Sequence, residues 1–136
     1  MPTELKRLTC VCCGGQLEEK DGKLVCKYCK NTLPDSVTSI GDYAFFSCWG
    51  LTSLDIPNGV KNIGNNTVSY CDNLASVRIG NGVTSIDNYA FCDCGNLTSI
   101  QFTGTKEEWN KISKGEGWKN NVPATYVQCT DGTVSI

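Results

Sequence analysis

The stretch Leu33–Asp55, LPDSVTSIGDYAFFSCWGLTSLD, returns at Ile79–Gln101 as IGNGVTSIDNYAFCDCGNLTSIQ. Between them, without a gap, lies Ile56–Arg78, IPNGVKNIGNNTVSYCDNLASVR. At an offset of 23 residues the first and third units share eleven identities: Val-Thr-Ser-Ile, Tyr-Ala-Phe, one Cys and Leu-Thr-Ser. Across all three, Val37, Val60 and Val83 coincide, as do Ile40, Ile63 and Ile86, and Leu51, Leu74 and Leu97. A fixed interval of this length marks a repeat architecture. One such coil cannot bury its own apolar side, so the coils stack and their Val, Ile, Leu and Phe ladders form a continuous core. Strands are expected over Leu51–Ile56, Leu74–Ile79 and Leu97–Phe102, with a second set near Val37, Val60 and Val83. Asn, Gly and Asp supply the turns between them, being tolerant of left-handed backbone. Cys48, Cys71 and Cys94 recur at the same interval and are expected to point inward as small apolar side chains. Cys92 falls off that ladder, which predicts an outward or rim position.

Each unit reads L-x-x-L-x-I, a Pro/Asn/Gly turn, V-x-x-I, then A-F-x-x-C. This pattern resembles the BspA-like class of leucine-rich repeats, and residues 33–102 carry the resemblance. The middle unit departs from it at Asn66-Thr67-Val68, where its neighbours have Tyr-Ala-Phe, and the third unit has Gly80 at the turn proline. The resemblance implies a mainly β solenoid that binds other proteins, often at a microbial or parasite surface facing a host.

A second pattern precedes the repeats. Cys10-x2-Cys13 and Cys26-x2-Cys29 are two knuckles twelve residues apart, the arrangement that lets paired turns aim four thiolates at one ion. Asp21-Gly22, between Leu17 and Leu24-Val25, is the signal for a hairpin with a two-residue turn. Residues 8–30 resemble a zinc ribbon, with Lys30 standing where that family usually has glycine. The expected cofactor is one structural zinc per chain, bound by Cys10, Cys13, Cys26 and Cys29. A pair of disulfides is the alternative use of the same cysteines, and Cys12 is left outside the tetrahedron. So short a segment needs metal to fold. The expected domains are therefore a ribbon over 1–31 and a solenoid over 32–136, with repeats 33–55, 56–78 and 79–101 and a cap over 102–136. The ribbon hairpin is expected to cover the first coil.

In the cap, Thr105-Lys106-Glu107-Glu108 is a capping box, predicting a helix to about Ser113 with Trp109 and Ile112 turned inward. Asp131-Gly132 predicts a hairpin of Tyr126–Cys129 with Thr133–Ile136. The stretch FTGTKEEWNKI…GW…CTDG resembles the terminal unit that follows BspA-like repeats. No role is assigned to Cys129.

Composition narrows function by exclusion. The 136 residues include ten cysteines and no histidine, so no Ser-His-Asp or Cys-His catalytic pair exists, and no imidazole ligand. The scattered aspartates read as a solvated polar rim and no phosphate-binding glycine loop is present, so no enzyme is expected. Net charge is −2, which provides no global basic field. Zinc ribbons often touch nucleic acid, and residues 1–31 carry six Lys/Arg against four Asp/Glu. The repeats carry two against six, so the reading of a nucleic-acid-associated ribbon whose repeats recruit a partner ranks second.

A protein partner is the first expectation. Thr52, Asp55, Ala75, Arg78, Thr98 and Gln101 are expected to line a weakly charged sheet face. Bulky residues stand out where sister units carry small ones: Trp49 aligns with Asp72 and Gly95, and Tyr70 with Ser47 and Asp93. Trp49, Tyr70 and Arg78 are the candidate partner-binding residues; local packing is the alternative use of the two aromatics. Met1–Thr9 is too short and polar for a signal peptide, and the apolar runs are too short to span a bilayer. With a thiolate site, this favours a cytoplasmic location. The repeat resemblance points instead to a surface.

Overall fold

Within each unit the apolar residues come in two short runs divided by turn residues, and each run becomes a strand of a parallel sheet. The computed structural model describes residues 36–136 and, ahead of them, the backbone of three strands. Those three are β1 (Thr3–Leu5), β2 (Glu18–Lys20) and β3 (Lys23–Val25). Then follow β4 (Val37–Ile40), β5 (Ser53–Ile56), β6 (Asn62–Ile63), β7 (Ser76–Ile79), β8 (Ser85–Ile86) and β9 (Ser99–Phe102). The chain closes with α1 (Lys106–Lys111), β10 (Ser113–Lys114), β11 (Tyr126–Cys129) and β12 (Gly132–Ser135).

One five-stranded sheet runs β1-β4-β6-β8-β10 and the other β12-β11-β9-β7-β5. Parallel pairing sets Leu54 beside Val77 and Val77 beside Ile100, so the register is the 23-residue repeat itself. The fold is the expected mainly β solenoid, of about four turns and with one short helix. The strands begin two residues later than expected, at Ser53, Ser76 and Ser99. In the second set β4 contains Val37 as expected, whereas β6 and β8 fall at Ile63 and Ile86, because Val60 and Val83 sit in the preceding turns and donate to Pro57 O and Gly80 O.

Between the sheets lies one core. Val37, Ile40, Phe45, Leu51, Leu54 and their equivalents in later coils are all buried. Cys48, Cys71 and Cys94 are buried, as the ladder required. Each later thiol also donates to a carbonyl of the coil before it, Cys71 Sγ to Phe45 O at 3.0 Å and Cys94 Sγ to Val68 O at 2.9 Å. A thiol thus fills an apolar slot while adding a donor to a buried carbonyl, as at Phe45 O, which also accepts from Cys48 N–H. Cys92 was expected at the rim and is buried instead, its Sγ 3.4 Å from Ser69 Oγ. Ser69 and Phe46 occupy its ladder position, and stacking encloses what a single coil would expose.

The turns follow the expected rule in part. Left-handed backbone falls on Tyr43, Asn66 and Tyr89 in one ladder and on Ser47, Tyr70 and Asp93 in another. Two of these six, Asn66 and Asp93, are of the expected types, as are Gly117, Asn121 and Gly132 in the last coil. The strain at a tyrosine or serine here is held by the neighbouring coil: Tyr43 N–H donates to Asn65 O, Tyr70 N–H to Cys92 O and Tyr89 N–H to Glu116 O. Asparagine and aspartate mostly bridge coils. Asp42 Oδ1 accepts from Asn65 N–H, Asn65 Oδ1 from Asn88 N–H, and Asn88 Oδ1 from Glu116 N–H. In the middle unit Thr67, at the alanine position, is fully buried and donates to Gly64 O at 2.7 Å.

The cap is a fourth coil with a helix inserted. Ser113 pairs with Ser85 and Gln128 with Gln101, so both sheets continue through it. The inter-coil offset grows from 23 to 28 residues at the turns, the added length being taken up by α1. The capping box forms as expected: Thr105 Oγ1 accepts from Glu108 N–H at 3.1 Å, and Glu108 Oε1 from Thr105 N–H at 3.0 Å. Trp109 and Ile112 are buried, and β11 and β12 make the predicted hairpin.

At the other end, β2 and β3 pair antiparallel, with Glu19 opposite Leu24 and Lys20 opposite Lys23, in the register expected of the hairpin. Among the described residues β1 extends the first sheet beside β4. Cys10, Cys12, Cys13, Cys26 and Cys29 lie outside the described residues.

Candidate interaction surface

Two surfaces emerge from this stacking. On the second sheet the outward residues are small or polar, with Asp55, Arg78 and Gln101 adjacent in register. Arg78 is exposed in the middle of that row. The other surface is the turn edge, where the left-handed residues sit. Trp49 is 63% exposed and Tyr70 46%, so neither is used up by core packing. Tyr70 thus lies on the turn edge and Arg78 on the sheet face, while Trp49 is exposed in the turn that follows Cys48.

Alignment by position had singled out two of the exposed aromatics, and the structure adds more. Tyr43, Tyr89 and, in the last coil, Tyr126 are also exposed, the first two on the same edge. Tyr43 and Phe46 meet edge to face at 5.2 Å, and Phe46 meets Tyr70 at 5.5 Å. Tyr43 and Tyr89 recur within the repeat, so a search for residues that differ between units passes over them. Their left-handed backbone, which aims the rings outward, is invisible in composition.

Carboxylates accompany the rings. The segments 41–50, 64–73 and 87–96 contain Asp42, Asp72, Asp87 and Asp93 and no lysine or arginine. Among the described residues no cation pairs with any of the four. Asp93 accepts from Asn121 Nδ2 at 2.6 Å, and that hydrogen bond holds its carboxyl below the usual value. The Asp93 charge in turn pushes the Tyr70 phenol above its ordinary range. A shallow groove of about 270 Å³ along Gly117–Val122 continues the edge into the fourth coil, with Gly117 directly under the Tyr89 ring.

The buried thiols shift in both directions, and the hydrogen bond from Cys71 holds Cys94 below its ordinary value. Burial raises Cys92 and Cys129. Cys71 is raised much further by the thiols of Cys48 and Cys94 bonded to it and by its own burial. Among the described residues no group of three or more Cys, Asp or Glu side chains is placed to hold a metal, and no helix is long and apolar enough to cross a membrane.

Known proteins place these features in context. The family described as BspA type leucine rich repeat region (6 copies) matches residues 25–115. No curated protein matches the chain. Among solved structures, the leucine-rich repeat protein of Treponema pallidum superposes with a TM-score of 0.55 at 21% identity, covering 70% of this chain and 56% of that one. A leucine-rich repeat protein from Bacteroides capillosus gives 0.54 at 26% identity, covering 68% and 63%. A leucine rich cell surface protein from Faecalibacterium prausnitzii gives 0.51 at 27% identity, covering 59% and 27%. The chain thus spans less than two thirds of the length of each. With a 23-residue register, an inward cysteine ladder and a family match over most of its length, the chain belongs to the BspA-type leucine-rich repeat family.

Proposed function

We propose that this chain is a non-enzymatic protein-interaction module, its solenoid preceded by a segment that one structural zinc stabilises. The family's repeats generally serve in protein interactions. The observation that carries the reading is the aromatic turn edge. The same left-handed position is filled by Ser47 and Asp93 in sister coils, so the fold does not require a tyrosine at residue 70. An exposed ring in a backbone clamped by inter-coil hydrogen bonds is a pre-organised contact, which lowers the entropy lost on binding. The absence of cations from the edge segments opposes a nucleic-acid partner for the repeats.

In the zinc reading, Cys10, Cys13, Cys26 and Cys29 hold the metal and Cys12 does not. The β2–β3 hairpin supports it: pairing of Glu18 with Val25 returns the chain to where it entered, which suits knuckles on either side. Bound there, zinc supplies folding energy and no chemistry. A thiolate site favours a reducing, cytoplasmic setting, whereas the F. prausnitzii protein is named for the cell surface; the oxidation state of these cysteines separates the two.

Cross-linked capture from source cells tests the interaction reading. Wild type should recover a partner that Trp49→Ala or Tyr70→Ser loses; identical recoveries would count against the edge as the contact. Native mass spectrometry should find one zinc per chain, and metal-free protein with disulfides among the four cysteines would overturn the site. Cys13→Ala should unfold the N-terminal segment and leave the β signal of the solenoid in place.

A further inference from the structure

The geometry points to an arginine-bearing peptide segment of a partner protein as the ligand of the turn edge around Tyr70, Tyr89, Asp72 and Asp93. This rests on the interaction reading and names the chemistry of the partner. Left-handed backbone turns Tyr70 and Tyr89 outward on adjacent coils, Tyr70 46% exposed and Tyr89 37% with one side of its ring against Gly117. A guanidinium is attracted to the face of such a ring and is weakly hydrated, so it stacks there at little desolvation cost. The carboxylates supply the matching charge. Asp93 sits beside Tyr70, while Asp72 lies on the next ladder, and no cation of the described residues neutralises either.

Space is available as well. Asp72 is followed along its ladder by Gly95, where an added Cβ would meet nothing within 4 Å. An extended chain laid across the coils could place one basic side chain in the open shelf beside Asp72 and another near Asp93. Parallel strands lie about 4.8 Å apart and an extended peptide advances about 3.3 Å per residue, so arginines three residues apart span two coils. A purely apolar partner would leave the carboxylates buried without counter-charge, and an anionic one would meet like charge.

The test uses the full chain and fluorescein-labelled nonapeptides of the form (Gly-Ser-Arg)3, with lysine and glutamate counterparts, followed by anisotropy. Two variants preserve the fold by borrowing residues that sister coils hold in the same left-handed conformation: Tyr70→Ser, as at Ser47, and Tyr89→Asn, as at Asn66. The arginine peptide should bind saturably. It should bind about tenfold more weakly to the double variant, the loss expected of two exposed cation–π contacts. Asp72→Asn should weaken binding and flatten its salt dependence, the lysine peptide should bind more weakly than arginine, and the glutamate peptide should not bind. No binding of the arginine peptide at low ionic strength, or equal binding by the double variant, overturns the inference. Panning a random peptide library separates the two failures. Neutral or acidic peptides recovered by wild type defeat this inference and leave the interaction reading standing. Recovery of no peptide, together with no partner in capture, defeats both.

Discussion

Replacing Trp109 by alanine removes the side chain that seals the open end of the solenoid. Its ring is 1% exposed and meets Phe102 at 5.4 Å and Trp118 at 5.8 Å, both edge to face. Lys114 Nζ lies 4.6 Å above it, while donating to Trp109 O at 2.9 Å and Ile112 O at 3.1 Å. A fully buried indole takes roughly 200 Å² out of water, which at ~25 cal/mol per Å² is roughly 5 kcal/mol. An extended-chain reference overstates that by a tenth or more, which leaves about 3–4 kcal/mol. Truncation of buried aromatics costs about the same. With an m-value of ~2 kcal/mol/M, the urea midpoint should fall by about 2 M. Far-UV circular dichroism is the suitable probe, since fluorescence mixes three tryptophans of different exposure. Trp49→Ala, the same truncation at an exposed site, should move the midpoint by less than about 0.3 M. Because coils contact only their neighbours, loss of the cap should also fray the fourth coil and lower m. If Trp109→Ala shifts the midpoint no further than Trp49→Ala does, the last coil is not sealed by this ring and the reasoning fails.

Two further outcomes follow from contacts between coils. A Cβ on Gly82 would run into the Asn58 carbonyl of the preceding coil, so Gly82→Ala should cost about 1–3 kcal/mol, whereas Gly95→Ala, with nothing near it, should be close to neutral by the same denaturation. The thiol ladder should make the solenoid sensitive to alkali. The Cys71 value is raised in the folded state, so its contribution is complete below the unfolded thiol value of about 8.5 and is lost as pH rises toward the folded one. Urea midpoints measured from pH 7 to 10.5 should hold and then fall above about 8.5. Cys71→Ala should be less stable at neutral pH and fall less steeply; an unchanged slope would show that this thiol is not the linked group.

Much of the architecture was readable in the residue order because each coil faces a copy of itself. A side chain buried in one coil is buried in the next, so Val60, Leu74 and Cys71 declare their direction by recurring. The capping box at Thr105 and the turn at Asp131-Gly132 were equally readable, since both are satisfied within a few residues. Trp49 and Tyr70 stood out as departures from the repeat. Their burial could not be judged by alignment, because exposure depends on what the adjacent coils place beside them. Cys92 was misplaced for the same reason: one coil alone leaves it at the rim, and Ser69 on the neighbouring coil covers it.

Residue order alone established the 23-residue coil, its inward ladders and the helix start in the cap. Stacking decided the rest. It put tyrosine and serine into left-handed backbone, because N–H groups there find carbonyls one coil away. Asparagine side chains became bridges between coils, and the cap proved to be a fourth turn lengthened by a helix. Each of these depends on partners 22 to 28 residues distant in the chain, which no local pattern encodes and which exist only once the coils lie against one another.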